Sequence, residues 1–185
     1  MKIRPARKIT HRVSSVTNGF VQAILPDEKP DERDLAAVLT ILEIDPERLT
    51  CAYCGDPAQH WDHLFPYVRD KRPSGFLNEA RNLVPACGPC NTSKSGRDWK
   101  SWMFGSAKGS PATRRIADLC LRAERIEGMV TAFNLQPMDL AGFVGRELWQ
   151  SYWDRLDNIE RLLFEAQAQA ERIKSQIALG LADRS

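Results

Sequence analysis

CAYCGDPAQHWDHLFPYVRDKRPSGFLNEARNLVPACGPCNTSKSGRDWKSW, residues 51–102, holds two Cys-x-x-Cys pairs, Cys51/Cys54 and Cys87/Cys90, with Asp62-His63 between them and Asn91 directly after the second. Four thiolates in two such pairs can close a tetrahedral zinc site, each two-residue spacer turning as a knuckle. The 32 residues between Cys54 and Cys87 exceed the roughly 15–20 of a simple ribbon. A folded insert is therefore expected between the knuckles, and it carries the Asp-His pair.

Within this stretch AQHWDHLF reads as a strand and residues 69–79 as a loop turning at Pro73-Ser74-Gly75. NLVPA reads as a second short strand. A helix is expected from Cys90 to about Phe104, open to interruption at Gly96. The local order is strand, loop, strand, helix.

Asp62, His63 and Asn91 would then meet in one cleft of the metal-stapled unit. Carboxylate and amide oxygens are hard ligands suited to Mg²⁺, which usually keeps several waters and completes its shell with phosphate. A neutral imidazole beside such an ion is a competent general base. For Asp62-His63 the competing reading is a turn pair, or His63 as an alternative zinc ligand; for Asn91 it is a helix cap.

Outward from the centre, the N-terminal side begins with a basic arm: Lys2, Arg4, Arg7, Lys8 and Arg12, with no acid among residues 1–12. A polyanion partner and a solvated tail explain this arm equally well. A short hairpin turning at Asn18-Gly19 is expected next, and then a charged linker over Pro26–Pro30. Asp31 can cap a helix whose apolar residues Leu35, Val38, Leu39 and Leu42 keep helical spacing.

On the C-terminal side, Gly105–Ser110 reads as a flexible link and Ser110-Pro111 as a helix start. Ile116, Leu119, Ala123, Ile126, Val130 and Phe133 form one helical seam, with Cys120 expected on its apolar face. Trp149, Tyr152, Leu156, Ile159, Leu163, Ala166, Ala170, Ile173 and Ile177 form a second. The two seams predict an antiparallel helical hairpin, satisfied within the chain or, at its far end, by a second copy.

A net charge of +2 over 185 residues does not by itself imply nucleic acid. Its distribution says more: residues 27–50 hold eight acids against three bases, and residues 51–110 hold eight bases against five acids. No apolar run reaches signal-peptide or membrane length. The expected compartment is the reducing cytoplasm, where paired cysteines favour metal over disulfide.

The pattern CxxC…DHxxP…NLVxxCxxCNxxK, over Cys51 to about Lys94, resembles the HNH endonucleases of the ββα-metal fold in their four-cysteine zinc subgroup. The resemblance implies an α+β protein. Its ββα-metal core (51–105) would be stapled by structural Zn²⁺ on Cys51, Cys54, Cys87 and Cys90. An N-terminal lead-in (1–50) and a C-terminal helical hairpin and dimerisation region (110–185) would flank it. It further implies His63 as general base, Asp62 and Asn91 as ligands of a catalytic Mg²⁺ or Mn²⁺, and Asn82 bracing the loop that carries the histidine. Lys94 would contact phosphate. Beside what the resemblance implies, Arg69, Lys71, Arg72 and Arg81 form a loop cluster that could grip the DNA backbone, and a solvated loop explains them equally well. The last motif position is Asn91 where other members carry histidine, which favours a hard ion. The implied activity is hydrolysis of double-stranded DNA to 5′-phosphate and 3′-hydroxyl ends. A homodimeric type II restriction enzyme suits it best. Homing, phage-packaging and toxin or defence nucleases are alternatives within the family. A non-catalytic zinc-ribbon module that binds DNA is the alternative outside it.

Overall fold

The computed structural model describes residues 7–26 and 31–182. Lys2 and Arg4 of the basic arm and most of the Pro26–Pro30 linker lie outside the described residues. The chain falls into two compact units: residues 24–138, and the two terminal segments up to residue 23 and from 139 onward. Both helices and small two-stranded sheets are present.

Helix α1 (Val13–Gln22) belongs to the terminal unit; the first helix of the central unit is α2 (Glu32–Ile41), capped by Asp31, whose carboxylate accepts from the Arg33 N–H at 2.8 Å. Strand β1 (His60–His63) pairs antiparallel with β4 (Leu83–Ala86), in the register His60–Ala86, Trp61–Pro85, Asp62–Val84 and His63–Leu83. Helix α3 (Gly88–Lys94) follows β4 at once, with Pro in its first turn where no N–H is needed. Helix α4 (Trp99–Met103) succeeds it, with Ser95 at φ 49° between the two. The expected strand–loop–strand–helix order is present, with the helix broken just before Gly96. The insert after β1 is more ordered than a loop. Val68–Arg69 (β2) and Arg72–Pro73 (β3) form a miniature hairpin, with Asp70 and Lys71 both at positive φ in the turn.

The core gathers Val38, Leu39 and Leu42 from α2, Leu64 and Val84 from the strand region, and Tyr53, Trp102 and Met103. Ile126 and Met129 of α5 (Leu119–Ala132) complete it. Residues 105–118 are not a free link. Ser110 is fully buried, its hydroxyl donating to the Gly105 carbonyl at 2.7 Å, and the Ala112 N–H reaches the Met103 carbonyl. Ser110-Pro111 therefore opens a run of turns, and α5 starts only at Leu119. Cys120 is exposed: Ala123, Ile126 and Met129 face inward, and position 120 falls outside that stripe.

In the terminal unit, Val13–Gln22 is helix α1, not a hairpin. Its half-buried or buried positions Val13, Thr17, Phe20 and Val21 recur three and four apart, and Asn18-Gly19 lies within the helix. Helix α6 (Leu140–Val144) precedes α7 (Arg146–Ala182), 37 residues long. Trp153, Leu156 and Glu160 are the buried positions of α7. The Tyr152 hydroxyl donates to the Phe20 carbonyl at 2.9 Å, and the Thr17 hydroxyl to Glu160 at 3.1 Å. The seam of α5 is satisfied on α2 and that of α7 on α1 and the 3₁₀ turn Ile9–Arg12. Each seam thus has a partner within its own unit. No helix among the described residues is long and apolar enough to cross a membrane.

Candidate metal centre and the adjoining polar site

Cys51, Cys54, Cys87 and Cys90 are all buried, with their sulfurs within 4.8 Å of one another. Backbone bonds shape the first knuckle. Gly55 N–H returns to the Cys51 carbonyl at 2.8 Å, and the Ala52 N–H is tied to the Pro85 carbonyl of β4 at 2.8 Å. Gly55 stands at φ +81°, which favours glycine, and the Arg122 guanidinium lies over it, 2.5 Å from where a Cβ would stand. The second knuckle is the turn from β4 into α3.

Four thiols so close cannot all ionise unaided. Hydrogen bonding to Cys54, reinforced by burial, pushes the Cys51 thiol up to about 12. Cys90 is likewise pushed up, chiefly by its bond with Cys51, while bonds from Cys51 and Cys90 pull Cys54 down. A thiophilic dication removes the conflict, and these four cysteines can hold a metal ion such as zinc. Two arginines absent from the sequence reading complete the surroundings. Arg114 donates to the Cys90 sulfur at 3.4 Å and to Asp56 at 2.6 Å, and Arg122 donates to the Cys51 carbonyl at 3.2 Å. N–H···S contacts and positive charge are what an anionic metal–thiolate cluster needs. Nothing in the spacing of residues 111–122 announces them.

The metal centre is joined to Asp62 through Tyr53, a spacer residue of the first knuckle. The fully buried Tyr53 hydroxyl donates to Asp62 Oδ2 at 2.7 Å, and burial, with Asp62 beside it, holds the phenol well above its ordinary range. Lys94 Nζ lies 3.1 Å from the same oxygen and donates to the His63 carbonyl at 2.7 Å. Lys94 is completely buried. It therefore does not stand ready for phosphate: the face it shares with Asn91 is covered by β1, and its charge is spent inside on Asp62. Burial draws its pKa down while Asp62 opposes the shift.

Asn91 sits one turn before Lys94 and one turn after Gly88. Lys94 reaches Asp62 and the His63 backbone, while the Gly88 N–H donates to Gln59 at 3.0 Å. Helix α3 packs against β1, with Lys94 near one end of the strand and the Gly88 N–H at Gln59, just before the other. Asn91 is half-buried, with no side-chain hydrogen bond among the described residues. Oδ1 of Asp62 likewise has no partner there. These are two hard oxygen donors, compatible with Mg²⁺ or Mn²⁺.

Asn82 is fully buried and braces the histidine loop. Its Oδ1 accepts from the Phe65 N–H at 2.9 Å, and its Nδ2 donates to the Phe65 and Leu77 carbonyls at 2.8 and 3.1 Å. His63 closes β1 half-buried, its ring 4.8 Å from that of Tyr67 and its Nε2 2.8 Å from Asn78 Oδ1. Asn78 was missed in the sequence, where an asparagine in Leu-Asn-Glu carries no spacing signal.

Of the four cations of the expected loop cluster, Arg69, Lys71 and Arg72 lie on the β2–β3 hairpin. Arg81 does not join them. Its guanidinium bonds Asp34 at 2.9 Å and covers the Phe133 ring, and Asp34 raises its pKa further. His60 and Trp61 face solvent on β1, whereas Trp99 is core. No family model matches the chain, and no curated protein and no solved structure was found to match it.

Proposed function

We propose that the protein is a metal-dependent DNA endonuclease of HNH type, with Zn²⁺ on the four cysteines as a structural staple. The observation carrying this reading is the β1–β4–α3 unit. It presents an imidazole with one unpartnered nitrogen, a carboxylate with one unpartnered oxygen and an unpartnered amide on adjoining elements, beside a hairpin of three cations. His63 takes a proton from water. Asp62 and Asn91 hold Mg²⁺ or Mn²⁺, and a bound ion of this kind stabilises charge on the phosphate and on the leaving 3′-oxygen. Lys94 neutralises part of the Asp62 charge, and Tyr53 fixes its orientation. Arg69, Lys71 and Arg72 hold the phosphate backbone. The products carry 5′-phosphate and 3′-hydroxyl ends.

Plasmid nicking with Mg²⁺ tests the assignment. His63→Ala is expected to lower cleavage about 10²–10⁴-fold, with zinc content and circular dichroism unchanged. DNA binding with no cleavage by the native protein under Mg²⁺ or Mn²⁺ would favour the zinc-ribbon module instead.

Among HNH systems, a type II restriction enzyme cutting both strands needs a homodimer. The last three turns of α7, residues 171–182, are exposed throughout and carry Ile173 at 50% and Ile177 at 58% exposure. They continue the seam past the end of α1. Sedimentation should show a dimer, and Ile173→Glu with Ile177→Glu should weaken association more than about 100-fold, given roughly 1.5–3 kcal/mol for each buried isoleucine. A monomeric native protein at micromolar concentration removes the restriction-enzyme reading and leaves the nuclease reading standing.

A further inference from the structure

We propose that Asn78 is a positioning residue that holds His63 in the Nε2–H tautomer, so that Nδ1 is the nitrogen available to accept a proton. Three handles on His63 are already taken. Its carbonyl accepts from Lys94 at 2.7 Å, its ring lies 4.8 Å from Tyr67, and its Nε2 is 2.8 Å from the Asn78 amide oxygen. An amide oxygen only accepts, so Nε2 must carry the hydrogen, and a neutral imidazole then has its lone pair on Nδ1. Nδ1 has no partner among the described residues. The asparagine is itself secured. Asn82 donates to the carbonyl of Leu77, the residue before Asn78, and with the same amide group grips Phe65, two residues after His63. One buried side chain therefore sets the spacing between the base and the group that selects its tautomer, while the stacked rings of Phe65 and Phe76, 4.3 Å apart, close the loop between them.

The assignment of Nδ1 as the working nitrogen rests on His63 being the base of the proposed reaction; the tautomer itself does not. It can be read in the zinc-loaded, full-length protein from long-range ¹H–¹⁵N correlations of the His63 ring, with no substrate present. Nε2–H should be near-exclusive in the native protein and in Asn78→Asp, which keeps the acceptor, and Asn78→Leu should admit a measurable Nδ1–H fraction, because a free neutral imidazole favours Nε2–H only moderately. In Mg²⁺-dependent single-turnover cleavage, Asn78→Leu should lower the rate on the order of 10- to 100-fold with little change in KM. Asn78→Asp should retain most activity, since it keeps an oxygen acceptor for the Nε2–H. An Nδ1–H native tautomer, or an unchanged tautomer in Asn78→Leu, would overturn the proposal even if cleavage is robust. Absence of all cleavage alongside the expected tautomer would instead overturn the nuclease reading and with it the role of Nδ1, while the Asn78 contact stands.

Discussion

Cys87→Ser is expected to abolish the cooperative unfolding transition of residues 24–138, and a strong chelator should do the same to the native protein. The reason is what the cysteines hold together. The strand pairings among the described residues of this unit are β1 with β4, β2 with β3 and an isolated bridge between Thr50 and Pro57, and isolated two-stranded sheets are marginal in water. The four sulfurs lie inside the same core as Tyr53, Leu64, Val84 and Trp102, so the metal centre is the middle of the packing. Structural zinc in small domains contributes roughly 10–16 kcal/mol at neutral pH, as much as the whole stability of an ordinary domain, about 5–15 kcal/mol. Losing one thiolate removes much of that and leaves three sulfurs in conflict over their protons. Elemental analysis should show one zinc per native chain and a large deficit in the variant, with near-ultraviolet circular dichroism losing its aromatic signal. A native protein that purifies metal-free with a sharp melting transition would contradict this account.

The second large effect falls on Lys94. Lys94→Met should destabilise the protein by about 3–5 kcal/mol, because it leaves Asp62 buried with only the Tyr53 hydroxyl for company. The pair is almost fully removed from water, with 0% and 8% side-chain exposure at a separation of 3.1 Å, so solvent screening does not soften the loss. Pairing the change with Asp62→Leu should recover most of the stability, since well-packed apolar residues often replace a buried ion pair without cost. Urea denaturation of the native, single and double variants reads this directly. A single variant within about 0.5 kcal/mol of the native protein would mean that the ammonium is not the partner that keeps Asp62 charged. Cleavage should stay low in the double variant, which separates holding the fold from holding the reaction.

Tyr53 makes these two effects one system. Its ring packs edge-on against Trp102 with centroids 5.1 Å apart, its backbone belongs to the first knuckle, and its hydroxyl ends on Asp62. The metal centre and the polar site therefore share a wall. Loss of metal should disorder the Asp62 carboxylate before any direct damage at His63.

Features settled by neighbours in the chain were legible from the residues alone. The two knuckles depend on a two-residue spacer, the strands around Asp62-His63 and Leu83–Ala86 on short runs bounded by turns, and the cap of α2 on an aspartate two residues from the N–H it accepts. Asn82, which the resemblance implies as a brace of the histidine loop, bonds Phe65 and Leu77. What tertiary structure alone decided was which partner each exposed-looking group meets. Spacing puts Asn91 and Lys94 on one helix face but does not say that β1 covers it, so Lys94 turned out to be a buried counter-ion. Arg81 found Asp34, 47 positions away, and Arg114 found Asp56 and the Cys90 sulfur. The residues over 13–22 suit a hairpin or a helix, and packing on α7, more than a hundred residues later, selected the helix. The seams of α5 and α7 show which faces must be covered, yet apolar contact is non-directional and any complementary face will serve. Local hydrogen-bond geometry is written in the order of the residues; the choice among equivalent distant partners belongs to the folded whole.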